Sequence, residues 1–160
     1  MVGLHGWKWS TPRFYIIAGT IIAIVAVYLL VFNPVLINGT VVAKFVTGTK
    51  DGTSYSIITI TPYGGATAND PAFSDVVMNE GMGLTVNSTL EQRMMNAGYT
   101  QIRYVISIHV TSGKDTINGI GPGEALGYFT GRTEFNSLRI WDVANFQVDR
   151  LSASTVHLKD

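Results

Sequence analysis

His5, His109 and His157 are the side chains best suited to metal ligation or general-base chemistry near neutral pH. A metal centre needs about three or four ligands, and these three histidines form no pair spaced for one strand or one helix turn. No metal site is expected. A serine nucleophile needs a base and an orienting acid. The chain has no Gly-x-Ser-x-Gly elbow, and Ser54, Ser56 and Ser107 sit in strand-like patterns. Carboxylates are scattered, with no two on one helical face, so no glycosidase-type pair is formed. The segment Gly119 to Gly127 has the glycine content of a phosphate loop but no Lys-Ser/Thr ending, and Glu124 would repel an anion. The chain contains no cysteine, which excludes thiol nucleophiles, thiolate zinc sites and iron–sulfur clusters. These readings point to a protein that is not an enzyme and holds no cofactor.

The elements that carry these residues follow from composition and periodicity. The chain has 160 residues, a formal net charge of zero and only 14% charged residues. That length allows one ordinary domain and an additional segment. Nucleic-acid binding is not expected, because it needs a dense Lys/Arg field. Residues 33–160 hold nine Lys/Arg and eleven Asp/Glu, with no basic stripe.

Phe14 to Phe32 is nineteen residues without a charge. As a helix it would extend roughly 28 Å, near the hydrocarbon thickness of a bilayer. Trp7, Lys8, Trp9, Arg13 and Tyr15 are placed as interface anchors at its start. Pro34 ends it. The reading is a transmembrane helix over 14–32 after a tail over 1–13. Lys8 and Arg13 put the N-terminus in the cytoplasm, with the rest extracytoplasmic, on a single-pass protein of the cell membrane. The sequons at Asn38 and Asn87 agree with that side. Gly19, Ala23 and Ala26 form a small-residue face suited to helix packing.

Residues 33–160 read as an all-β domain with one short helix. Ile37 to Val46 and Ser54 to Thr61 are strands joined by a turn at Asp51 and Gly52. Residues 64 to 83 read as a long loop. Ser88 and Glu91 form a capping box for a helix over about 89–97, with Gly98 at its end. Ile102, Tyr104, Ile106, Ile108 and Val110 alternate with polar residues along the next strand. Residues 113 to 134 are glycine-rich loops, with a short strand around Leu126 to Phe129. Gly121, Gly123, Tyr128 and Phe129 are the candidate partner loop, with the two rings expected to be exposed. Arg139 to Val148 and Thr155 to Leu158 complete the strands. The order resembles that of a five-stranded oligonucleotide/oligosaccharide-binding-type barrel with a helix between its third and fourth strands. A β-sandwich is the alternative.

The expected function is a non-catalytic accessory subunit of a larger membrane protein complex. Its partners would be the lipid bilayer and other membrane subunits, not nucleic acid. A ligand- or cofactor-binding module and a self-associating coat or filament protein are the alternatives.

Overall fold

The computed structural model describes residues 11–32 and 34–159; the side chains of 11–14, 29–32 and 79–81 lie outside that description. The chain divides into two compact units, Met1–Asn33 and Pro34–Asp160.

The first unit contains helix α1 (Thr11–Phe32). The expected membrane span is corrected here: among the described residues no helix is long and apolar enough to cross a membrane. The described side chains of α1 are the fourteen from Tyr15 to Tyr28.

The second unit is mostly antiparallel sheet. Its strands are β1 (Val35–Lys50), β2 (Thr53–Thr61), β3 (Gly65–Ala68), β4 (Thr100–Gly113), β5 (Ala125–Thr130), β6 (Val143–Val148) and β7 (Val156–Lys159). The helices α2 (Ser74–Glu80) and α3 (Ser88–Asn96) lie between β3 and β4, and α4 (Arg132–Ser137) lies between β5 and β6. Seven strands in one hydrogen-bonded sheet replace the expected five-stranded barrel, and also the two-sheet sandwich. The strands run β3-β2-β1-β4-β5, while β6 pairs with β1 and with β7. Two hairpins account for the added strands. Gly65, at φ 65, turns β2 into β3, and β6 folds back onto β7.

β1 is the organising element. Its first six residues pair with β6 and its last seven with β2, while β4 runs along nearly the whole strand. Val35, Ile37 and Val41 face the core from its first half; Lys44 and Val46 do so from its second. The parity changes at Val42, where the β1–β4 register shifts. A β-bulge adds one residue and so exchanges the two faces of the strand beyond it. That bulge turns Lys44 inward and Phe45 outward.

Lys44 is therefore a core lysine, only 2% exposed. Its Nζ donates to Leu138 O at 2.7 Å, at the C-terminal end of α4, and stands 4.2 Å from the centroid of the Phe135 ring. Burial lowers its pKa from 10.5 to about 8, against the opposing pull of Asp142. The unfolded chain then binds this proton more tightly than the folded one. The cost of charging Lys44 is fully present below about pH 8 and disappears as the pH rises towards 10.5. Stability should rise by roughly 3 kcal/mol across that window. Lys44→Met should abolish the rise, as read from urea midpoints at successive pH values. An identical rise in the variant would assign it to other groups.

The remaining core is made from the inward faces of the strands and from the helices that cover them. Ile106, Ile108 and Val110 of β4 pack with Phe135, Phe146 and Tyr128, all fully buried. Leu90 and Met94 of α3 and Phe73 belong to the same buried cluster. The helix cap differs by one residue from the capping box read in the sequence. Asn87, not Ser88, is the N-cap and accepts from Leu90 N at 2.8 Å. Glu91 does not reach back to the cap, because its carboxylate is taken by Tyr104 and Arg132.

Candidate functional site

The described side chains of α1 are apolar on every side and almost all exposed. Ile16, Ile22 and Ile24 are 68%, 69% and 62% exposed. Gly19, Ala23 and Ala26 are exposed with them, and a Cβ placed on Gly19 would meet nothing within 4 Å. Tyr15 is exposed on the same helix. Trp7, Lys8 and Trp9 and the side chain of Arg13 lie outside the described residues.

The loop over 113 to 124 is built around one carboxylate. Asp115 is fully buried. Its Oδ1 accepts from Ile117 N at 3.0 Å and Asn118 N at 3.1 Å, and its Oδ2 from Asn118 Nδ2 and Tyr128 OH, both at 2.7 Å. Asp115 and Ile120 also exchange backbone hydrogen bonds at 2.8 and 3.0 Å. Burial by itself would raise the carboxyl pKa. The bonds from Asn118 and Tyr128 outweigh it and hold Asp115 below the usual carboxylate range. Tyr128, expected to be an exposed ring, is the opposite: it is fully buried, and its hydroxyl is held high by burial and by Asp115. Phe129 is half-buried beneath the Arg103 guanidinium. Gly121 N donates to Glu124 Oε2 at 2.7 Å, and Gly123, at φ 91, donates to Val110 O at 2.9 Å. The glycine-rich stretch is thus tied to β4 at Val110, whose N also donates to Glu124 O at 2.8 Å.

Two further carboxylates are committed in the same way. Glu91 accepts from Tyr104 OH and pairs with Arg132. Glu134 accepts from Thr130 Oγ1 at 2.6 Å, Gly131 N at 3.3 Å and Leu158 N at 3.1 Å, and lies 3.5 Å from His157 Nδ1. Burial pushes the Glu134 pKa up, but these bonds prevail and keep it low. A loop, a helix and a terminal strand are joined through that one side chain.

The residues considered for chemistry are not brought together. Among the described residues no group of three or more His, Asp or Glu is arranged to hold a metal ion. His109 lies on β4 and His157 on β7, while His5 is outside the described residues. Ser56 bonds to Thr59, at 3.0 Å. The Asn38 amide joins a ladder, donating to Asn145 Oδ1 at 3.0 Å and accepting from Thr111 Oγ1 at 2.7 Å. A glycan on that nitrogen would break the ladder.

Several notable positions left little trace in the sequence. Asp115 and Asn118 have the types and spacing of a side-chain-stabilised turn, a signal hidden by the surrounding glycines. Trp141 is 56% exposed, adopts φ 76 and stands edge-on to Tyr63, which is 95% exposed, with ring centroids 6.4 Å apart. A bulky residue in the left-handed region is rare; here Trp141 N donates to Val41 O at 2.9 Å and fixes the turn. An open, mainly apolar groove of about 470 Å³ lies along Glu91, Met95, Tyr99 and Gln101.

What this arrangement does chemically is fix charges in pairs and present apolar surface. Comparison of the chain with protein-family models, with curated proteins and with solved structures finds no match in any of the three.

Proposed function

We propose that the chain is a non-catalytic accessory subunit of a larger membrane protein complex, in which α1 packs against apolar helices of partner subunits and the β-domain braces them. One observation carries this reading: the described part of α1 exposes an apolar surface on all sides. Fully burying a side chain such as isoleucine or valine contributes about 1.5–3 kcal/mol. Several such residues on one helix supply a strong drive to be covered. Gly19, Ala23 and Ala26 allow a partner backbone to come close. The committed carboxylates Glu91, Asp115 and Glu134 support a bracing role, since each ties separate elements into one stiff unit.

Purification of the full chain in mild detergent should bring stoichiometric partner subunits, identified by mass spectrometry. The triple substitution Gly19→Leu, Ala23→Leu and Ala26→Leu should release them while leaving the β-domain folded by circular dichroism. A chain that elutes alone and monomeric before substitution would end this reading.

A further inference from the structure

A second groove, of about 340 Å³, lies where β5 and the start of β7 meet. The two are joined there by an isolated parallel bridge between Phe129 and Thr155, with Phe129 N donating to Ser154 O at 2.6 Å. The walls are Arg103, Phe129, Thr130, Ser152, Ser154 and Thr155, with Tyr104 at the base. Its volume is within the range of small-molecule sites, about 300–1,000 Å³.

The lining sets the chemistry of this groove. It combines hydroxyl-bearing side chains with one guanidinium. Arg103 lies over the Phe129 ring, 5.2 Å from its centroid. Stacking of this kind orients the planar fork of an arginine before any ligand arrives. Arg103 belongs to none of the ion pairs Arg93–Asp75, Arg132–Glu91 and His157–Glu134 seen among the described residues. The neighbouring carboxylates are already engaged. Glu91 serves Arg132 and Tyr104, and Glu134 serves Thr130, Gly131 and Leu158. Asp149, whose backbone N donates to Thr155 O at 2.9 Å, accepts from Leu151 N at 2.8 Å. A preset cation, in none of the ion pairs named among the described residues, therefore faces a polar hollow.

We infer that the Arg103 groove binds a small hydroxyl-bearing molecule through an oxyanion, a carboxylate or a phosphate, held by the Arg103 fork. Planar bidentate pairing with an oxyanion is the strongest contact a guanidinium makes. The Ser152 and Thr155 hydroxyls, bonded to each other at 2.9 Å, keep one donor and free lone pairs between them, and Ser154 adds a further hydroxyl for those of the ligand. The assignment stands apart from the accessory role, and either can fail without the other.

The test uses the full chain, ¹⁵N-labelled, in mild detergent and at constant ionic strength. Inorganic phosphate, glucuronate and glucose are titrated separately while amide resonances are followed. Saturable shifts confined to residues 103–104, 129–130 and 152–155 are expected with phosphate or glucuronate, and the stronger of the two identifies the anion. Arg103→Gln should weaken that binding roughly ten-fold or more, as loss of a charge-assisted bond implies. Ser154→Asp places a carboxylate at an exposed wall position and should weaken it similarly, so the result does not depend on one variant folding. Equal shifts with glucose, shifts that never saturate, or unchanged affinity in both variants would overturn the assignment.

Discussion

Replacing Asp115 with alanine should destabilise the β-domain by about 3 kcal/mol or more, because buried donors lose their acceptor at once. The largest share comes from Tyr128, whose hydroxyl donates to Asp115 Oδ2 at 2.7 Å while the side chain has no exposed surface. The amides of Ile117 and Asn118 lie nearer the surface and recover part of their bonding from solvent. Asp115→Asn keeps the shape and should cost less, since one oxygen remains to accept. Urea unfolding of the three proteins at neutral pH measures the series. The pH dependence has a fixed sign. The folded carboxyl pKa of Asp115 lies below its ordinary 3.8. Its contribution is therefore present above that value and is lost as the pH falls through the folded pKa. The gap between the native protein and Asp115→Asn should narrow in acid. A gap that stays constant down to about pH 2 would mean that the Asp115 charge contributes nothing.

Gly39→Ala should be comparably damaging, at about 3 kcal/mol, for a steric reason. A Cβ at Gly39 would collide with Ile108 Cγ2 and stand 2.7 Å from His109 O. Gly39 pairs with Val110 of β4 on one side and Ala144 of β6 on the other. Neither neighbour can retreat without breaking a ladder. Gly19→Ala is the natural control, since that position faces open space. A Gly39→Ala protein with an unchanged urea midpoint would show that β1 and β4 separate more easily than their pairing implies.

Both effects bear on how much could be read from the amino-acid order. The alternation through Ile102, Tyr104, Ile106, Ile108 and Val110 reappears as the inward side of β4, because period-two burial is a local property. The turn at Asp51 and Gly52 reappears between β1 and β2, with both residues at positive φ. Elements that depend on distant partners were not legible. Residues 65–68 carry too few branched side chains to announce a strand, yet Ala66 and Ala68 pair with Ile60 and Ile58. Arg139 to Val148 reads as one strand, but the positive φ of Trp141 interrupts it and β6 begins only at Val143. α4 is hidden in a glycine-rich stretch and begins where Glu134 accepts from Gly131 N. The inward turn of Lys44 depends on a bulge that is defined only against β4. The buried Tyr128 ring is the clearest reversal. Glycines suggested adaptability, while the buried carboxylate of Asp115 sets its loop around a single point.

The arrangement of β1 has a consequence for synthesis on the ribosome. Lys44 lies in the part of β1 that pairs with β4, where its partner is Ile106. At translation rates of about 5–20 residues per second, that part of the strand waits roughly 3–12 s for β4. During the wait, Val41, Val42, Ala43, Phe45 and Val46 form a β-branched, apolar segment with an open edge, the kind that pairs with other nascent chains. Lys44 lies in the middle of that run. In the finished domain its charge is a burden, buried and shifted towards neutrality. On the unfinished chain the same charge is solvated and repels a second copy of the segment. The lysine that weakens the completed core thus guards the strand while it waits for β4.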